Sequence, residues 1–166
     1  MRTFATRGLL AAAIFVAGCG SVENQTASRA GSGATIVAIR AAVNDNARLY
    51  AYVLWNNRIP SWASRSTTAQ ALDGSADDAA WRRRRRLRIR LSAPVLRIRL
   101  IRMNASRTEA TVAVFDHAKY RICSAGHGCE HQRIVDWHVR MRLVRSDRRS
   151  PFRVANVVST ATSVLP

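Results

Sequence analysis

The chain has 166 residues, 48% of them hydrophobic and 22% charged. That length excludes a multidomain enzyme, and the apolar content excludes a disordered basic tail. Basic residues outnumber acidic ones 27 to 10, giving a formal charge of +17, and every basic residue except Lys119 is arginine.

Arg2 and Arg7 give the chain a positive start, and Gly8 to Ala17 add an apolar stretch of signal-peptide length, too short to span a membrane as a helix. The stretch ends in Val16-Ala17-Gly18-Cys19, which resembles the lipobox of bacterial lipoproteins: an apolar residue, two small ones and the cysteine that receives lipid. The resemblance implies cleavage after Gly18, acylation of Cys19, and a protein held at the cell membrane on its extracytoplasmic side. An ordinary secretory signal with an incidental cysteine is the alternative, and it too exports the protein. Residues 1–18 are then a signal peptide, and the small, polar residues 19–33 form a tether unable to bury enough apolar surface to order itself. Residues 34–166 are left as a single domain. Within it no stretch reaches the roughly 18 to 20 apolar residues of a membrane span.

From Ala34 the apolar residues Ile36, Ile39, Val43, Ala47, Tyr50 and Leu54 recur every three or four positions, with Arg40, Asn44, Asp45 and Arg48 between them. This spacing predicts a long amphipathic helix ended by Asn56, Asn57 and Pro60. A second, weaker helix is expected over Ser61 to Leu72, closed by Gly74. Ser75-Ala-Asp-Asp then starts a third, with Asp78 four residues before Arg82, running into the arginines 82 to 86.

The period then changes to two. Leu87-Arg-Ile-Arg-Leu91 is repeated residue for residue as Leu96-Arg-Ile-Arg-Leu100, so the copies could pair as a hairpin; the second reads as strand, the first as either strand or helix end. Further strands are predicted at Thr108 to Ile122, Ile134 to Arg145 and Phe152 to Thr160, joined by short turns as in an antiparallel meander. In the second of these, Val135, Trp137, Val139, Met141 and Leu143 share one face, which is core. The expected fold class is α+β, with N-terminal helices packed on one face of a curved antiparallel sheet.

The order of helices then meander, ending in Trp137-His-Val-Arg-Met-Arg-Leu-Val-Arg-Ser-Asp and Phe152-Arg-Val-Ala-Asn-Val, resembles the nuclear transport factor 2-like superfamily. The resemblance covers roughly residues 34 to 160 and implies a cone in which a curved sheet wraps a long helix. That superfamily contains cyclases, isomerases and dehydratases as well as binding and scaffold domains, so the fold does not name a function. The chain departs from it in carrying Phe152 where tryptophan is common, and in its charge.

Cys123 and Cys129 flank Ser-Ala-Gly-His-Gly between two strands, and in an exported protein they most simply form a disulfide. The alternative, zinc held by Cys123, His127, Cys129 and His131, lacks the usual paired spacing with a long insert, and no metal or cofactor is expected. If the cysteines face each other directly, Phe115 faces Trp137, Asp116 faces Asp136, and His117 faces Val135 on the helix-covered side. His117 is then the one titratable group there and a candidate general base. A slip of one residue would exchange the two faces.

The arginines are the largest signal. Arg82, Arg83, Arg84, Arg85 and Arg86, followed by Arg88, Arg90, Arg97 and Arg99, are a candidate anion-binding set, and a hairpin would align the last four on one face. Export favours anionic lipid or an envelope polymer as the partner over nucleic acid, for which no stacked aromatic platform accompanies the run. The expected function is a lipid-anchored, non-enzymatic binding or scaffold domain that engages an envelope component, another envelope protein included. An enzyme or small-molecule binder working in the cavity near His117 and Trp137 is the alternative from another class, and electrostatic attachment through the arginines is a third.

Overall fold

A computed structural model describes residues 33–165. The proposed signal peptide, Cys19 and nearly all of the proposed tether lie outside the described residues. Two helices and five strands follow in the order α1 (Gly33–Asn56), α2 (Ala69–Arg84), β1 (Leu87–Met103), β2 (Glu109–Ser124), β3 (Gly128–Cys129), β4 (Arg133–Val144) and β5 (Arg153–Leu165). A short 3-10 turn, Ala63–Arg65, joins the helices. No helix among the described residues is long and apolar enough to cross a membrane.

The expected first helix is α1, and its apolar stripe packs on the sheet: Ile39, Val43 and Ala47 lie against Val112, Val114, Val139, Met141 and Leu143, all buried. Most of the expected second helix does not form: residues 61–68 hold the 3-10 turn and a bridge from Thr67 to Val154, and only from Ala69 does the chain turn helical, running on through Gly74 into the expected third helix as one α2. The sequence between them does not cap a new helix, because the Ser75 hydroxyl donates back to the Ala71 carbonyl at 3.5 Å, as within a continuing helix. Nothing lies within 4 Å of a Cβ built on Gly74, so the glycine is an exposed helical position costing about 1 kcal/mol against alanine. Leu49 and Val53 of α1 join Ala79 of α2 and Ala63 in a second apolar cluster.

The sheet is an antiparallel meander ordered β1-β2-β4-β5, with β3 added beside β2. The fold is therefore α+β, as expected, with an open sheet. The two Leu-Arg-Ile-Arg-Leu copies do not form a hairpin; they lie end to end in β1, and the first is strand. Nine residues separate the copies, an odd number that would put them on opposite faces of a regular strand. A register shift between Ser92 and Val95 inserts one residue and cancels this parity change. Arg88, Arg90 and Arg97 consequently share one face, opposite Cys123, Arg121 and Phe115 of β2.

The register of β2 on β4 differs from the expected one by a single residue. Cys123 does face Cys129, but the link from β3 to β4 takes up one residue more than direct continuation would, and Tyr120 faces Arg133. The whole β2–β4 pairing is offset accordingly: Phe115 faces His138, Asp116 faces Trp137, and His117 faces Asp136.

Candidate functional site

Residue Asn57 organises one end of the molecule. It follows α1 with a left-handed φ of 53°, a conformation that asparagine tolerates better than most residues. Its side chain donates to the Leu87 carbonyl at 2.6 Å and accepts from the Arg82 Nε at 3.0 Å, while its own carbonyl accepts from Arg83 at 3.3 Å. Arg82 also pairs with Asp78 one turn earlier in α2. Buried Asn57 and Arg82 thus tie the end of α1, the end of α2 and the start of β1 together. Tyr50 lies beside this network, its hydroxyl pKa raised by burial and then by Asp78, with Arg82 acting in the opposite sense.

Beside this knot opens a cleft of about 600 Å³. Its walls are Trp55, Asn56 and Asn57 from α1, Arg83 and Arg86 from the end of α2 and the following turn, Arg88 from β1, and Cys123, Ser124 and Ala125 from the hairpin. No acidic side chain lines it. The carbonyl ends of both helices converge here, each equivalent to about half a negative charge, so three guanidinium groups leave a clear positive excess of roughly two charges. Arg86 has a φ of 55°, a left-handed conformation in which a side-chain-bearing residue costs about 1 kcal/mol or more relative to glycine. Arg88 and Arg90 place their guanidinium carbons 5.7 and 5.9 Å from the Trp55 ring centre.

The arginine run is therefore not one uniform patch. Arg82 is 3% exposed and structural, Arg85 stacks 4.1 Å over Trp81, Arg83 and Arg86 enter the cleft, and Arg84 is exposed. Arg97 and Arg99 belong to the sheet face turned away from the helices, where the Arg99 guanidinium lies 5.7 Å over Phe115. Phe115 and His138 meet edge-on at 5.6 Å on that same face, so an aromatic pair does accompany the arginines, which sequence reasoning missed.

The candidate base His117 is corrected by the register. It lies on the uncovered face, and its Nδ1 is 2.6 Å from Asp136 Oδ1 in a half-exposed cross-strand pair. The position facing the helices belongs to Asp116, which is fully buried. Burial, and secondarily the Asp136 charge, pushes the Asp116 carboxyl up to about 8. Phe115, expected opposite Trp137 on the core face, likewise turns outward, and Val112 and Val114 lie beneath the helices.

Cys123 and Cys129 are joined in a disulfide, with their Cα atoms 4.0 Å apart. Both sulfurs are consumed, so the set of Cys123, His127, Cys129 and His131 cannot ligate zinc while the bond is intact. The hairpin loop turns through Gly126 and Gly128, at φ of 89° and 74°, conformations for which glycine is suited.

No known family model matches the chain, and no characterised protein matches it by sequence. Among solved structures, the chain is similar to the intermembrane space region of chloroplast protein ARC6, with a TM-score of 0.64 and 13% identity. The match covers 75% of this chain and 95% of that one. At this identity the likeness is one of fold.

Proposed function

We propose that the protein is exported and lipid-anchored through Cys19, and that its domain, a variant of the nuclear transport factor 2-like cone, binds an anionic envelope component without catalysing a reaction. One observation carries this reading: Cys123, held in the Cys123–Cys129 disulfide, is part of the wall of the cationic cleft. A disulfide persists in an oxidising compartment, which agrees with the lipobox-like residues 16–19, and here the same bond shapes the proposed binding surface. The cleft presents guanidinium groups beside an indole ring, and guanidinium forks hold phosphate or carboxylate. A partner carrying such groups, whether lipid, polymer or an acidic protein segment, is the expected ligand.

The reading is tested on membranes washed with high salt, which strips electrostatic attachment and leaves a lipid anchor in place, from cells producing the full chain or its Cys19→Ala variant. The wild type is expected in the membrane fraction, shielded from thiol reagents until reductant is added, and the variant is expected to leave that fraction. Equal membrane retention of both, or free thiols in the freshly isolated protein, contradicts it. An enzyme working inside the cone would have to use Asp116 in place of His117, since only the former faces the helices.

A further inference from the structure

We propose that the uncovered face of the sheet is a docking surface for an anionic phospholipid bilayer, so that the domain lies flat on the membrane to which Cys19 tethers it. The proposal rests on the lipid-anchor reading for its setting, but the surface itself is read from the register. Side chains facing away from the helices include Arg97, Arg99 and Arg102 on β1, and Lys119 and Arg121 on β2. Arg140 and Arg142 on β4 and Arg153 on β5 complete the set. Among the described residues the face holds two acids against these eight basic ones, and both are engaged: Glu109 by Arg142 at 2.7 Å, Asp136 by His117.

Composition alone does not produce this separation. A coding bias toward arginine would load every surface alike, yet residues 33–81, which hold α1 and most of α2, carry four basic and four acidic residues and are neutral. Like charges across neighbouring strands are unfavourable unless an outside anion compensates them. The chain also places Val95 and Val158 on this face, 43% and 57% exposed, with Phe115 between the strands that bear them. Apolar tips among arginines suit the boundary between headgroups and acyl chains better than a wholly polar polymer.

The shape of the array separates a bilayer from a strand-like polyanion. The basic positions occur on all four long strands, about 4.8 Å apart, and spread along the strand direction from Arg102 on β1 to Arg121 on β2, so they form a two-dimensional field and not a single track. Residues 19 to 33 extend at most about 50 Å, at roughly 3.5 Å per residue, which is ample for the face to reach the membrane that holds the anchor.

The test uses the full chain carrying Cys19→Ala, so that binding does not depend on lipidation, co-sedimented with phosphatidylcholine vesicles with or without phosphatidylglycerol. Phosphatidylglycerol is expected to tighten binding about tenfold or more, an effect that fades as salt shortens the reach of the charges. The triple variant Arg97→Gln, Arg99→Gln, Arg140→Gln is expected to lose most of that gain. Arg48→Gln, Arg58→Gln, Arg65→Gln changes the net charge equally in the helical part of the chain and is expected to shift binding less than about twofold, which also controls for simple loss of charge. Equal losses from the two triples, no preference for phosphatidylglycerol, or tighter binding of a soluble polyanion through the same three arginines overturns the proposal. Because lipidation is absent throughout, failure of the anchor reading leaves these outcomes unchanged.

Discussion

Asp116 on β2 and Trp137 on β4 sit directly opposite each other beneath the helices, and neither the Asp116 carboxylate oxygens nor the Trp137 indole nitrogen has a hydrogen-bond partner among the described residues. A charged carboxylate in that setting is costly, and protonation is the available relief.

Stability should therefore depend on pH in a defined direction. Asp116 keeps its proton up to about 8 in the folded chain, against an ordinary value of 3.8. Between these values the unfolded chain has released a proton that the folded chain retains, so stability is full below about pH 4 and falls up to about pH 8, with a slope approaching about 1.4 kcal/mol per pH unit. In Asp116→Asn this slope should vanish, and the variant should be the more stable at pH 9. Urea unfolding across the range checks it; parallel profiles for the two proteins would contradict it.

The Asp136 charge contributes to the rise at Asp116, even though its side chain belongs to the outer face. Asp136→Asn should move the upper end of that slope to lower pH. The loss of the half-exposed His117–Asp136 pair itself should cost less than about 1 kcal/mol in the same unfolding measurements.

At Asn57, replacement by alanine removes two side-chain hydrogen bonds, leaves the Nε of buried Arg82 without its acceptor and keeps the left-handed backbone in place. A loss of about 3 kcal/mol is expected, with Asn57→Gly recovering about 1 kcal/mol of it because glycine accepts the conformation. Thermal or urea unfolding of both variants separates the hydrogen-bond contribution from the backbone one.

Arg86 poses the opposite test. Arg86→Gly should stabilise the fold by about 1 kcal/mol, by relieving the left-handed φ, while weakening the cleft's affinity for a phosphate-bearing ligand severalfold. Stability gained with affinity unchanged would show that the cleft does not use this guanidinium.

Reducing the disulfide, or replacing both cysteines with serine, should cost about 2 kcal/mol, the modest amount expected for a short loop. Unfolding with and without reductant measures it.

Much of this architecture was legible in the residues. The alternation from Val135 to Leu143 identified the core face of β4 correctly, and the spacing from Ile39 to Leu54 identified that of α1. Two features of parity were not legible. The extra residue between β3 and β4 exchanged Asp116 and His117, and the extra residue at Ser92–Val95 kept two odd-spaced repeats on one face. A single inserted residue reverses every side chain beyond it, and no local propensity announces it. Gly74 misled for a different reason: it is a helix breaker by propensity, overridden by the alanines around it and by the Asp78–Arg82 pair in the same helix. The cleft was legible only as a charge run, because its walls come from three separated segments, two joined by Asn57 and the third by the Ala125 N–H donating to the Arg86 carbonyl.

The central claim, an exported lipoprotein whose disulfide shapes a cationic binding surface, is tested most directly by the intact mass of the purified protein beside its Cys19→Ala variant, each with and without reductant. The account predicts a wild-type chain that begins at Cys19 and carries a lipid-sized increment, absent from the variant, together with the mass gain of two hydrogens on reduction. An unprocessed, unlipidated chain whose mass reductant does not change would contradict it.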